Sequence, residues 1–221
     1  MTESIREELR RGITSLSLNC SEEQLVSLLA YIELLKKWNS AYNLLGANET
    51  PDLVSRHILD SLSINPHIEG SLIADIGAGA GLPGIPLAIL NPDKHFVLID
   101  SNGKKTRFMF QAKIQLGLDN ITIENCRIEH YQSKQQIDMV MCRAFSTLAA
   151  ALAMLQPIFS DSCRLMAMKG HYPLDEIAQL PEGFKLTKSI KLEVPGRESQ
   201  RHLIEVMRSK AAGQQASLVR S

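Results

Sequence analysis

The stretch Asp75-Ile76-Gly77-Ala78-Gly79-Ala80-Gly81-Leu82-Pro83-Gly84 constrains the fold of this 221-residue chain more than any other. Glycine loses more backbone entropy on folding than any other residue, so a dense run of it marks a place where the chain turns sharply and lets another group approach. Leu72 to Ile76, just before the run, is apolar enough for a buried strand, and Pro83 to Leu90, just after it, reads as a helix. The alternation continues along the chain. Phe96–Asp100, Ile121–Glu124, Asp138–Cys142 and Leu165–Met168 are further candidate strands, with helices expected over Lys104–Leu116 and Thr147–Leu155. Strand and helix in turn predict an α/β fold with a mostly parallel, doubly wound sheet. Phe184–Glu193 and His202–Met207 have no helical stretch between them and predict an antiparallel pair at one edge.

The first 70 residues read differently. Ser21 with Gln24 three positions on is a capping box, which satisfies free N–H groups at a helix start. Leu25, Leu28, Leu29, Ile32 and Leu35 follow at helical spacing, with Trp38 near the far end. Glu3–Leu16 is expected as the first arm of a helical hairpin, and Leu53–Ile64 as a further helix stopped before Pro66. The organisation expected is a helical extension over 1–70, a sheet domain over 71–208 and a disordered tail over 209–221. With 44% hydrophobic and 22% charged residues, the whole chain has the composition of an ordinary folded protein. The apolar stretch Leu148–Phe159 is too short to span a bilayer, and Met1–Arg11 alternates Glu and Arg instead of forming a signal peptide. Neither a membrane nor secretion is therefore expected. Cys20, Cys126, Cys142 and Cys163 lie far apart without a CxxC pair, which predicts reduced thiols, no metal site and a cytoplasmic chain.

The spacing of the glycines narrows the ligand. A helix N-terminus behind them carries roughly half a positive charge and suits a carboxylate or phosphate. The dinucleotide fingerprint needs a small residue where Leu82 stands, and the P-loop needs a Lys followed by Ser or Thr, which is absent here. What remains is an acidic residue followed by alternating glycines, filled by Asp75, Gly77, Gly79 and Gly81, which resembles the S-adenosylmethionine loop of Rossmann-like class I methyltransferases. Asp100 ends the second strand, where a carboxylate can accept both hydroxyls of a ribose, of NAD and S-adenosylmethionine equally; capping the helix that follows is the lesser alternative. After the third strand, where methyltransferases enclose adenine, stand Ile128 and Glu129; a plain surface turn fits the same residues.

Two catalytic devices are missing. Methylation of exocyclic amines typically uses [DN]-P-P-[FY] after the fourth strand, and this chain has Met141-Cys142-Arg143-Ala144-Phe145. Methylation at pyrimidine carbon 5 needs a cysteine nucleophile, whereas Cys142 reads as a buried strand end. Guanine N7 needs neither device, because its lone pair is already exposed and orientation can supply most of the rate. Arg143 and Lys169, just beyond the fourth and fifth strands, are the candidate catalytic residues. Arg143 can hold a base oxygen, a phosphate or a cofactor carboxylate through its fork of donors.

Trp38-Asn39 with Asn43-Leu44, Arg56-His57-Ile58-Leu59-Asp60-Ser61-Leu62, the loop 75–84 extended by Ile85-Pro86-Leu87, Asp100-Ser101 with Gly103-Lys104-Lys105, Arg143-Ala144-Phe145 and Lys169-Gly170 together resemble the bacterial 16S ribosomal RNA guanine-N7 methyltransferase family, also called glucose-inhibited division protein B. The resemblance covers residues 38–208. It implies S-adenosylmethionine as methyl donor and N7 of a guanosine in the 530 loop of 16S rRNA as acceptor, on the small (30S) ribosomal subunit; a monomer is the default expectation for the oligomeric state, which the sequence does not specify. It also implies cofactor contacts from Gly77, Leu82, Ile128, Glu129 and Arg143, and an RNA-facing rim of Lys104, Lys105, Arg127, Lys169, Arg197 and Arg201. Cys142, Ala78 and Ala80 depart from the residues common in that family. A small-molecule methyltransferase and a non-enzymatic sensor of an adenosine ligand are the competing readings.

The formal charge is zero, 24 basic against 24 acidic residues, but it is unevenly spread. Residues 1–70 hold 6 basic and 10 acidic groups, 71–140 hold 7 and 7, and 141–221 hold 11 and 7. That distribution argues against indiscriminate binding to nucleic acid and leaves a local basic rim available for selective binding.

Overall fold

The computed structural model describes residues 2–45, 52–144 and 146–209. Two helices open it, α1 (Thr2–Ser15) and α2 (Glu22–Tyr42). The capping box forms as expected: Ser21 Oγ accepts the Gln24 N–H at 3.2 Å, and Gln24 Oε1 accepts the Ser21 N–H at 2.9 Å. The Gln24 amide also donates to the Ile89 carbonyl at 3.0 Å, so this cap ties α2 to the end of a second helix. Tyr31 and Leu34 join Leu25, Leu28, Ile32 and Leu35 on the buried face of α2, whereas Leu29 of the predicted stripe is only half-buried.

The next segment departs from expectation. One helix was predicted over 53–64, but Val54–Leu59 is π-helical and runs into a single turn, α3 (Asp60–Leu62). Pro66 sits in a 3-10 turn, Asn65–His67. A proline at the start of such a turn breaks no bond, since the first N–H groups of a helix have no intrahelical acceptor.

Seven strands among the described residues form one sheet in the order β3-β2-β1-β4-β5-β7-β6. β1 (Leu72–Ile76), β2 (His95–Ile99), β3 (Ile121–Glu124), β4 (Met139–Arg143) and β5 (Arg164–Lys169) are parallel. β7 (Arg201–Arg208) lies antiparallel beside β5, and β6 (Phe184–Leu192) pairs antiparallel with β7 on the outside. The late pair thus sits at the edge assigned to it. Strand ends fall within a residue of the sequence expectation. A five-residue helix, α7 (Leu174–Ala178), was not anticipated, since five residues are too few to establish a helical period.

From β1 the chain steps to β2 and β3 in one direction, then returns to β4 and β5 in the other. The loops after β1 and β4 therefore leave toward opposite faces and open a crevice at the carboxyl ends of the strands, where open α/β sheets bind ligands. Helices α4 (Gly84–Leu90) and α5 (Gly103–Leu116) cover one face, and α6 (Leu148–Leu155) covers the other. Leu9, Leu28, Ile32 and Leu35 share one hydrophobic cluster with Ile73, Phe96 and Met141 of the sheet. The N-terminal helices thus extend the core of the sheet layer and have no separate core of their own. Ser209 still bonds to Gly183, while residues 210–221 of the expected tail lie outside the described residues. Among the described residues no helix is long and apolar enough to cross a membrane.

Because Leu35 is fully buried in that common cluster, Leu35→Ala is expected to lower the stability of the whole fold by about 2–5 kcal/mol in urea unfolding. A loss below about 1 kcal/mol would mean that α2 adds little to the shared core.

Candidate active site at the carboxyl edge of the sheet

The glycine loop after β1 has its backbone in the left-handed region at alternate positions, with φ of 65° at Gly77, 59° at Gly79 and 83° at Gly81. Glycine adopts these angles without a Cβ clash, and other residues pay about 1 kcal/mol or more. Side chains from outside the loop hold it. Asp100 Oδ2 accepts the Gly79 N–H at 2.8 Å and Oδ1 accepts the Asn102 N–H at 2.8 Å. Asp75 Oδ2 accepts the Gly84 N–H at 2.8 Å, at the start of α4. From α2, the buried Tyr31 hydroxyl donates to the Ala80 carbonyl at 2.7 Å.

Close packing explains the last glycine. A Cβ on Gly84 would lie 2.2 Å from Leu98 Cδ2, so α4 can rest on β2 only with glycine there. The helix-to-sheet approach that dinucleotide folds reserve for a small residue is thus made by Gly84, and Leu82 is free to turn into the core. At Gly79 the surroundings are open. The nearest atoms to an added Cβ are the Gly77 carbonyl and Lys105 Nζ, each at 3.8 Å.

Two cavities open at the carboxyl edge of the sheet, one of them against the loop. The first, about 260 Å³, is lined by Gly77, Ile99, Asp100, Ser101, Cys126, Arg127, Ile128, Glu129 and Met154. Gly77, Asp100, Ile128 and Glu129, expected at a cofactor, meet there. Asp75, Gly81 and Leu82 do not: all three are buried, Asp75 under the start of α4 and Leu82 in the core. Met154 was missed, being indistinguishable in sequence from the other apolar residues of α6. Arg127, assigned to the RNA rim, lines this first cavity, and Lys104 and Lys105 stand at the start of α5 beside the loop.

The second cavity, about 370 Å³, is lined by Arg56, His57, Asp60, Arg143, Ala144, Met168, Lys169, Gly170, Arg197 and Arg201. It collects Arg143, Lys169, Arg197 and Arg201 from the predicted set and adds Arg56 and His57 from the π-helical segment and Asp60 from α3. Arg143 Nη1 donates to Asp60 Oδ2 at 3.0 Å and Nη2 to His57 Nδ1 at 2.9 Å, which requires a lone pair on that nitrogen. Arg201 Nε donates to Asp60 Oδ1 at 2.9 Å. Lys169 Nζ pairs with Glu176 at 2.8 Å, and the same carboxylate accepts the Leu148 N–H that opens α6. Burial, then the neighbouring Arg201 guanidinium, draws Arg197 below its ordinary value. Ala144, next to Arg143, holds a left-handed φ of 51°, the kind of local strain that clusters at functional sites.

Cysteine chemistry finds no support here. Burial pushes the Cys142 thiol up to about 12, so it is not a thiolate near neutrality.

This sheet order, with its glycine loop at the crevice and an antiparallel edge, is the Rossmann-like fold of S-adenosylmethionine-dependent methyltransferases. It superimposes on M. jannaschii TYW2 in complex with AdoMet at a TM-score of 0.51 and 15% identity, covering 68% of this chain and 77% of that one. A SAM-dependent methyltransferase from Thiobacillus denitrificans in complex with S-adenosyl-L-homocysteine gives a TM-score of 0.50 at 11% identity, over 79% and 98%. The chain belongs to the rRNA small subunit methyltransferase G family, whose model matches residues 24–204. The ribosomal RNA small subunit methyltransferase G of Nitrosococcus oceani is 44% identical over 205 residues, which cover 93% of this chain and 95% of that protein.

Burial raises the Asp75 carboxyl from 3.8 to about 7, against the opposing pull of the Gly84 N–H and Arg143. Between those values the native state holds a proton that the unfolded chain releases. The associated stability is complete below about pH 4 and is lost as the pH rises through about 7. Asp75→Asn keeps an acceptor for Gly84 but cannot titrate. Its urea midpoint relative to the unsubstituted protein should therefore move upward between about pH 5 and about pH 8, and a constant difference would contradict the raised value.

Proposed function

We propose that this chain transfers the methyl group of S-adenosylmethionine to N7 of a guanosine in the 530 loop of 16S rRNA, acting as a cytoplasmic monomer on the small ribosomal subunit. The observation that carries this reading is the pairing of two unlike cavities at the carboxyl edge of one sheet, a partly apolar one against the glycine loop and a cationic one lined from the ends of β4, β5 and β7, in a chain of this family.

The first cavity has the chemistry an adenosine needs. Ile99, Ile128 and Met154 offer apolar surface to a base, and the Asp100 oxygens, each already accepting one N–H, retain lone pairs for ribose hydroxyls. When bound, S-adenosylmethionine supplies a methyl group on a positively charged sulfur, so no acid is needed to activate the leaving group.

The second cavity suits an RNA acceptor whose nucleophile is already unprotonated. Its one lining carboxylate, Asp60, is held between two guanidiniums, and the nearby Glu176 is paired with Lys169, so neither is poised to remove a proton. Arginine and lysine here can hold phosphate and guanine O6, leaving N7 to attack along its own lone pair. Such a site works by orientation, and a misplacement of about 1 Å can cost 10²-fold in rate.

Small subunits from a strain lacking the gene should take up labelled methyl from S-adenosylmethionine into 16S rRNA when this protein is added. No uptake at any salt concentration would overturn the reading, and cofactor turnover indifferent to RNA would favour a small-molecule acceptor. Gly79→Val should abolish cofactor binding in calorimetry, because its side chain projects into the open side of the loop and its φ of 59° is unfavourable for valine. Unchanged affinity would remove the loop from the cofactor site.

A further inference from the structure

The second cavity brings together five cationic side chains, Arg56, Arg143, Lys169, Arg197 and Arg201, and one lining carboxylate, Asp60. Asp60 stands on α3, directly after the π-helical segment, with its side chain only 2% exposed. Arg143 ends β4 and Arg201 starts β7, and β5 runs between those two strands. Adjacent strands lie about 4.8 Å apart, so the two guanidiniums are rooted roughly 10 Å from each other. Both long side chains converge on Asp60, which takes one arginine on each oxygen, at 3.0 and 2.9 Å.

The pairing is specific in its atoms. Asp60 takes Nη1 of Arg143, which also donates to the Arg56 carbonyl at 3.3 Å, and Nε of Arg201. His57 takes Nη2 of Arg143, and the Gln200 carbonyl takes Nη1 of Arg201. Among the described residues Nε of Arg143 and Nη2 of Arg201 have no protein partner. The carboxylate thus fixes the planes of both guanidiniums while leaving donors on each, and without it two like charges would face one another and repel. No residue lining this cavity also lines the first one, which separates these donors from the proposed cofactor site.

We infer that Asp60 is a positioning residue, which sets Arg143 and Arg201 as a preorganised two-guanidinium clamp for a backbone phosphate of the acceptor RNA beside the target nucleotide. This deepens the RNA reading given above and rests on it. The donors left over, Nε of Arg143 and Nη2 of Arg201, can each meet one oxygen of a phosphodiester, and a clamp set before binding loses little side-chain entropy when the phosphate arrives. The clamp holds the substrate backbone, so its effect falls on the alignment of the acceptor nitrogen more than on occupancy.

Steady-state methylation of small subunits, with subunit and S-adenosylmethionine each varied, tests this with Asp60→Asn. The variant keeps the side-chain shape and loses the charge that draws both arginines in. The expected result is a kcat about ten- to hundredfold lower, with KM for the subunit changed less and the calorimetric Kd for S-adenosylmethionine within about twofold of the unsubstituted protein. A kcat equal to that of the unsubstituted protein overturns the inference. So does a loss of cofactor affinity as large as the loss in kcat, or tighter subunit binding at unchanged kcat, which a carboxylate that only tempers positive charge would give. Should Asp60→Asn fail to fold, Arg201→Lys, which keeps the charge and removes the fork, should show the same fall in kcat, and an unchanged kcat overturns the inference equally. An inactive unsubstituted protein would remove the RNA reading and this inference together, whereas an active one with an equally active Asp60→Asn removes the inference alone.

Discussion

A loop made of glycine and alanine has no side chains long enough to hold its own shape, yet a ligand site depends on that shape. Here the loop after β1 is fastened from three directions: Asp100 on the Gly79 N–H, Asp75 on the Gly84 N–H and Tyr31 on the Ala80 carbonyl. Tyr31 belongs to α2, and it reaches the loop only because α2 shares a core with α4, α5 and the sheet. The N-terminal helices are therefore part of the site's support. The same constraint accounts for Asp75, a fully buried carboxyl whose desolvation is accepted because it anchors the start of α4.

The charge distribution takes on structural meaning in the second cavity. The acidic first 70 residues contribute Asp60, and the basic last third contributes Arg143, Lys169, Arg197 and Arg201. One carboxylate of the acidic segment is thus buried among the cations of the basic one. An exposed ion pair contributes little to stability, but one held at 2% exposure with hydrogen bonds on both oxygens fixes geometry, and removing its charge leaves two guanidiniums opposed.

Much of the fold was legible because its signals are local. Strand and helix periods located five parallel strands and the late antiparallel pair to within a residue, and the capping box at Ser21 formed as written. Arg143 and Lys169 could be singled out since residues at the carboxyl ends of parallel strands face the crevice by topology alone. Long-range contacts were not legible in this way. Asp75, predicted to touch the cofactor, is buried beneath the start of α4 with Oδ2 on the Gly84 N–H, and Leu82 turns inward because Gly84 makes the close helix contact instead. His57 and Asp60 lie within a motif that carried the family resemblance, but three-residue spacing on a helical turn says only that they share a face; what they face is set by β4 and β7. The π-helical form of 54–59 has no distinct sequence period, and the sequence shows only one helical segment over 53–64.

The most direct measurement of the central claim is a map of N7-methylguanosine in 16S rRNA, by borohydride reduction and aniline cleavage, from cells with and without this gene. The account predicts one cleavage in the 530 loop that is present with the gene, disappears without it and returns when the unsubstituted gene is restored. Identical cleavage patterns from the two strains would contradict it.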